Sequence, residues 1–174
     1  MGLDMYLNIR KEEYISKYSS CPTLSLTYPE DITKFIPQQD DSINGTFASV
    51  SRTTEYKVGY WRKANQIHNW FLEHCGPRDY ETGELIDDCR PIEVPVGQLE
   101  ELLETCKKVL EDHSLAGELL PTQKGFFFGS TEYDEYYFED LEYTIKTITP
   151  IIDFLKEKLE KKEYEWDLVY QASW

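Results

Sequence analysis

Positive charge is outnumbered in this chain of 174 residues: 18 Lys plus Arg stand against 33 Asp plus Glu, giving a formal charge of -15 and a sequence pI near 4.6. A field of that sign repels phosphate, which excludes a protein that coats nucleic acid with its whole surface. Long apolar runs are missing as well. None approaches the roughly 20 residues of a membrane helix, so no membrane partner is expected. The N-terminal MGLDMYLNIR has no basic leader before an apolar core, so a secretory signal is not expected, and Tyr6 stands where a myristoylation pattern wants Ser or Thr. No C-x-x-C pair occurs. Cys21, Cys75, Cys89 and Cys106 are scattered, which sets aside a zinc ribbon or thioredoxin motif and suggests reduced structural thiols. His68, His74, Cys75 and Cys89 match no common ligand spacing, so neither metal nor cofactor is expected. Gly-x-Ser-x-Gly and phosphate-loop patterns are also absent.

Aromatic residues are plentiful, with 13 Tyr, 8 Phe and 4 Trp, and disordered acidic chains are poor in them. The length suits one domain over 1–174 with a core that needs no disulfide or metal. Period-two alternation marks strands at both ends. Leu3, Met5, Leu7 and Ile9 alternate with polar neighbours, and Trp166, Leu168, Tyr170, Ala172 and Trp174 share one face near the C-terminus. Tyr56, Val58 and Tyr60 give a third candidate strand, and Ile92 with Val94 and Phe126 to Phe128 give two shorter ones.

Three helical patterns lie between them, at about 61–75, 97–112 and 138–159. In the last, Phe138, Leu141, Ile145, Ile148, Ile152, Leu155 and Leu159 form one apolar stripe, and Pro150 inside it predicts a kink near 146–150. Ser130 or Thr131 is the expected cap of that helix. Segments 19–55 and 76–91 read as loops, with a short helix near Pro29 to Phe35. The fold class expected is α+β: a mainly antiparallel sheet that includes both termini, packed with about three helices.

Two of three candidate segments stand out by charge; the other, 120–130 (LPTQKGFFFGS), brackets a triple Phe with glycines and reads as a short buried strand between two tight turns. From Arg52 to Lys63 the chain is net positive by three and threaded with aromatics, the only such stretch in an acidic molecule. Cations beside ring faces suit a phosphate and a base. A helical wheel over 61–75 centres Tyr60, Ala64, Ile67, Phe71 and Cys75 on the apolar face and puts Arg62, Gln66, Asn69 and Glu73 on the wet one. Trp61, Asn65 and His68 fall on a border that is either a pocket rim or a core edge. The second segment, 132–142, holds six acids in eleven residues and no base. It reads as a helix start stabilised by acids, or as an acidic aromatic docking patch.

GLDMYL, GYWRKAN followed by IHNWF, LLPT-x-x-GFFFGS with YDEYY, and a terminal YQASW together resemble an uncharacterised family of small bacteriophage and prophage proteins. The resemblance covers most of the chain, least of all 19–55. It implies a phage accessory protein in the host bacterial cytoplasm, directed at host machinery or defence, and carries no transferable chemistry.

The reading put first is a non-enzymatic binder of an anionic small molecule such as a nucleotide. Trp61, Arg62, Lys63, Asn65, His68, Lys124, Phe127, Ser130 and Tyr133 are its candidate contacts. An alternative is an inhibitor that imitates nucleic acid and docks on a basic host protein through Asp134, Glu135, Glu139 and Asp140. A hydrolase using His68, Asp134 and Glu135 comes third, because no nucleophile stands out. Self-association is left open.

Overall fold

The computed structural model describes residues 2–15 and 50–174. The loop and short helix expected before residue 50 lie outside the described residues. Within them the elements run β1 (Asp4–Ile15), β2 (Val50–Arg62), α1 (Asn65–Cys75), β3 (Ile92–Glu93), α2 (Val96–Glu111), a 3-10 turn (His113–Leu115), α3 (Ala116–Leu119), α4 (Glu135–Glu160) and β4 (Trp166–Ser173). The described strands form one antiparallel sheet of order β2-β1-β4-β3, so the strands nearest the two termini are its centre. This is the α+β architecture expected from the sequence.

Alternation decides which face is dry. Leu3 just ahead of β1, Met5, Leu7 and Ile9 of β1 and Leu168, Tyr170 and Ala172 of β4 are buried, and the helices cover them. Phe71 of α1 stacks on Tyr170 at 4.2 Å between ring centroids. Leu99, Leu102, Cys106 and Val109 of α2 pack with Leu141, Ile148, Ile152 and Leu155 of α4. Burial pushes the Cys106 thiol up to about 12 and the Cys75 thiol up to about 11, which makes both poor nucleophiles.

Several expectations are corrected. Residues 50–55 belong to β2 rather than to a loop. The strand also does not keep one phase. Leu7 faces Gly59 but Asn8 faces Lys57, so Val58 is the extra residue of a bulge. Tyr60 therefore joins Tyr6 on the open face at 5.4 Å, while Tyr56 turns to the other face toward Trp166 at 6.5 Å. Gly59 is needed there because the Trp61 ring would lie 3.0 Å from any Cβ.

The first helix starts at Asn65, not Trp61, because pairing with β1 (Met5 to Trp61, Asp4 to Arg62) holds 61–62 extended. Phe126 to Phe128 form a turn, not a strand: the Phe128 amide donates to the Gly125 carbonyl, and only Phe128 of the three is buried. That turn folds the segment back on itself before it can run along an edge, and the Phe127 carbonyl accepts from the Leu3 amide, just ahead of β1, at 3.1 Å. The long helix is capped by Asp134, whose carboxylate accepts from the Tyr137 amide at 3.1 Å, rather than by Ser130 or Thr131. Its backbone stays helical on both sides of Pro150, which lies exposed. Its buried stripe centres on Tyr137, Leu141, Thr144 and Ile148, because Thr144 takes the Trp61 indole N–H at 2.9 Å.

Candidate functional site

The junction between β2 and α1 builds the site. After Arg62 the chain must leave the sheet and enter a helix within two residues. Lys63 makes the turn in the left-handed region, at φ 63°, which side chains rarely adopt. Its amide is held by the Leu3 carbonyl at 2.8 Å. Gly129 comes up against it, also at positive φ (93°), with only 3.0 Å between the place of a Cβ and that of Lys63. A larger residue would push the two strips of backbone apart.

Asn65 fastens that contact. Its Nδ2 donates to the Phe128 carbonyl at 3.1 Å and the Ser130 carbonyl at 2.7 Å, and its Oδ1 accepts from the Gln123 amide at 2.9 Å. It is 1% exposed, so it cannot be a ligand contact. Asn65 is instead the clamp that sets segment 123–130 against the start of α1.

The result is an open cleft of about 330 Å³. Arg62 and Lys63 form one side, Gly129, Ser130 and Glu132 the next, and α4 with its cap Asp134 supplies the third through Tyr136, Tyr137, Glu139 and Asp140. Gln66 forms the floor and is buried, although the helical wheel placed it on the wet face. Its Nε2 donates to Asp140 Oδ2 at 3.2 Å. Burial, with some help from Glu139 and Asp134, raises the Asp140 carboxyl to about 6 against the lowering effect of Gln66. Among the described residues Arg62 has one weak partner, Asp4 on the open sheet face at 4.0 Å, and its side chain is 62% exposed, so its guanidinium keeps donors for another molecule. The Tyr137 hydroxyl is spent on the Leu120 carbonyl at 2.8 Å. Tyr136, by contrast, shows its ring to solvent at the cleft.

The basic and acidic segments thus meet in one cleft. Of the expected ligand contacts, Arg62, Lys63 and Ser130 line it. Asp134, Glu139 and Asp140 of the docking set line it too, whereas Glu135 does not. Trp61 is buried against Phe71 and Tyr143. His68 is fully buried, with Nδ1 2.7 Å from the Tyr170 hydroxyl and Nε2 3.3 Å from Asp87. Phe127 is half-buried, Lys124 exposed, and Tyr133 packs edge-on to Tyr137; none of the three lines the cleft. Trp61, Asn65 and His68 thus take the core-edge alternative, and the wheel failed for Tyr60, which it centred on the apolar face, because its period was carried back into a strand. Sequence reasoning missed Gln66, Gly129, Glu132, Tyr136 and Tyr137. Only Gly129 left a signal, as a glycine bracketing the Phe triplet.

A second groove, about 450 Å³, runs between α1, α2 and the segment after α3, past Trp70, His74, Glu101 and Glu118. It has no Lys or Arg in its lining. Among the described residues no group of three or more His, Cys, Asp or Glu is placed to hold a metal ion, and no helix is long and apolar enough to cross a membrane. Compared with protein-family models, curated proteins and solved structures, the chain matches none.

Proposed function

We propose that the protein is a non-enzymatic binding protein whose cleft takes a small anionic ligand of the nucleotide class. Arg62, Lys63 and the Ser130 hydroxyl hold the anion. The observation that carries this reading is the convergence of two of the chain's scarce cations on a concavity of about 330 Å³, the lower end of the range for small-molecule sites. Backbone in the left-handed region at Lys63 and the Asn65 clamp serve to keep that concavity in shape. The Ser130 hydroxyl accepts from the Glu132 amide, and the cleft's hydrogen bonds include no nucleophile paired with a base, which favours binding over catalysis.

The biological setting belongs to the same proposal. The motif resemblance supports a phage-encoded accessory protein acting in the host cytoplasm, where sequestering a nucleotide would serve a host-directed or anti-defence role. An acidic face that docks on a basic host protein is the weaker reading. Asp140 and Asp134 turn into the same cleft as Arg62 and Lys63, and cations beside them spoil a continuous negative surface. Calorimetry of the full chain against a panel of mononucleotides tests the proposal. Saturable heat that shrinks in Arg62→Ala and Lys63→Ala is expected. Silence across the whole panel, or affinities untouched by both substitutions, would end it.

A further inference from the structure

The cleft is lopsided in its hydrogen-bonding chemistry. At the Arg62 and Lys63 end there are donors. At the α4 end there are mostly acceptors: Asp140, Glu139 and the capping Asp134 offer carboxylates, and ionised carboxylates only accept. The one amide nearby, Gln66, already spends a hydrogen on Asp140 Oδ2. A ligand that puts its phosphate on the cations must therefore bring donors to the other end.

The nucleobases differ in this respect. Guanine carries two adjacent donors, N1–H and the 2-amino group, spaced to meet both oxygens of a carboxylate. Adenine and cytosine set a ring acceptor beside their amino group. Uracil and thymine flank a single N–H with two carbonyls. An acceptor facing a half-buried carboxylate leaves both groups unpaired, which costs more than a missing bond. Tyr136 adds an exposed ring at the cleft for a base to lie against.

We infer that the cleft selects guanine nucleotides, with the phosphate on Arg62 and Lys63 and the N1–H and 2-amino edge of the base on the Asp140 carboxylate. This rests on the anion-binding reading above and adds the identity of the base to it. Asp140 is then the specificity-determining residue. Gln66 is a positioning residue: its amide takes one lone pair of Asp140 Oδ2 and so orients the carboxylate, leaving Oδ1 and the second lone pair of Oδ2 to the two donors of the base.

The experiment is calorimetry of the full chain with GMP, AMP, UMP and inorganic phosphate, repeated for Asp140→Asn and Arg62→Ala. Asn is isosteric but offers one acceptor and one donor, and retention of fold is checked by thermal melting. GMP should bind roughly tenfold or more tighter than AMP or UMP. Asp140→Asn should bring that ratio close to one, while Arg62→Ala weakens GMP and AMP alike. Equal binding of GMP and AMP by the unaltered chain would overturn the guanine assignment and leave anion binding standing. A guanine preference that survives Asp140→Asn would overturn the role given to that carboxylate. No heat with any of the four probes would overturn both this inference and the reading beneath it.

Discussion

The few residues from Trp61 to His68 feed two unlike regions. On one side His68 enters a closed cluster with Tyr170, Asp87, Phe128 and Trp174, with both ring nitrogens partnered and the ring fully buried. The tautomer that carries its proton on Nε2 satisfies this cluster, with Nε2–H toward the Asp87 carboxylate and Nδ1 accepting from the Tyr170 hydroxyl. Burial holds the Tyr170 phenol far above its usual range, so it stays a donor. On the other side Arg62, Lys63 and Gln66 open on a cleft where cations and carboxylates face water. Adjacent residues of one motif have thus been sorted into a finished interior and an unfinished surface. Polar groups that already have partners hold the fold together, and polar groups with spare capacity are free to bind.

The strongest way to break the contrast is at the wall between the regions. Asn65→Ala removes three hydrogen bonds and leaves the Gln123 amide and two carbonyls unpaired, a loss of about 3 kcal/mol in denaturant unfolding. It should damage both regions together, lowering stability and nucleotide affinity. Tyr170→Phe acts on the closed cluster alone. It strands His68 Nδ1 and should cost about 2 kcal/mol, with nucleotide affinity within error of the unaltered chain. An affinity change as large as the stability change would mean the two regions are not separate.

Arg62→Ala is the converse. Its side chain is mostly solvated, so the melting curve should move by less than about 0.5 kcal/mol while affinity falls about tenfold, more at low salt than at high. The smallest effect sharpens the picture furthest. The Asp140 carboxyl titrates higher in the fold, at about 6, than its ordinary 3.8. The folded form therefore favours the protonated state, and ionised Asp140 weakens the fold above that pH. Asp140→Asn keeps the Gln66 contact and removes the charge. Relative to the unaltered chain it should gain stability, by under about 1 kcal/mol after allowing for solvent screening. The gain should be full above pH 6 and vanish below about pH 4, as read by melts across that range. A loss of stability at neutral pH would mark Asp140 as a structural residue.

Much of the sheet was legible in the sequence. Over residues 3–9 and in β4 each inward residue is apolar and most of their neighbours are polar, so period two could be read directly there. The three long helices were legible to within about a turn, except where a strand pattern runs into a helical one, whereas the single turns at His113–Leu115 and Ala116–Leu119 were not foreseen because elements so short show no periodicity. Tyr60, Ala64, Ile67 and Phe71 have helical spacing, yet pairing with β1 keeps 61–62 extended, and tertiary hydrogen bonds override the wheel. The Val58 bulge was invisible because Tyr56, Val58 and Tyr60 alternate without a fault; only the partner strand reveals the slip. At the site, the scarcity of cations made Arg62 and Lys63 conspicuous, and the acid density of 132–142 did the same for Asp134 and Asp140. That the two segments meet could not be read, since it depends on Gly129 touching Lys63. Gln66 was hidden because a glutamine bonded to a buried carboxylate looks, on a wheel, like any solvated one.

The central pairing of β1 with β4, from Asp4 opposite Ser173 to Lys11 opposite Trp166, dictates when this molecule can come into being during translation. A nascent chain offers β1 and β2 to each other early, but the inner neighbour of β1 is made only with residues 166–173. Until then the hairpin carries a bare row of amides on one flank and an uncovered oily side, the state in which a growing polypeptide is most open to proteases and to sticking to its neighbours. Assembly is therefore a late, long-range event, with slow kinetics typical of distant strand pairing. Ribosome-bound intermediates stalled ahead of Trp166 should be digested readily.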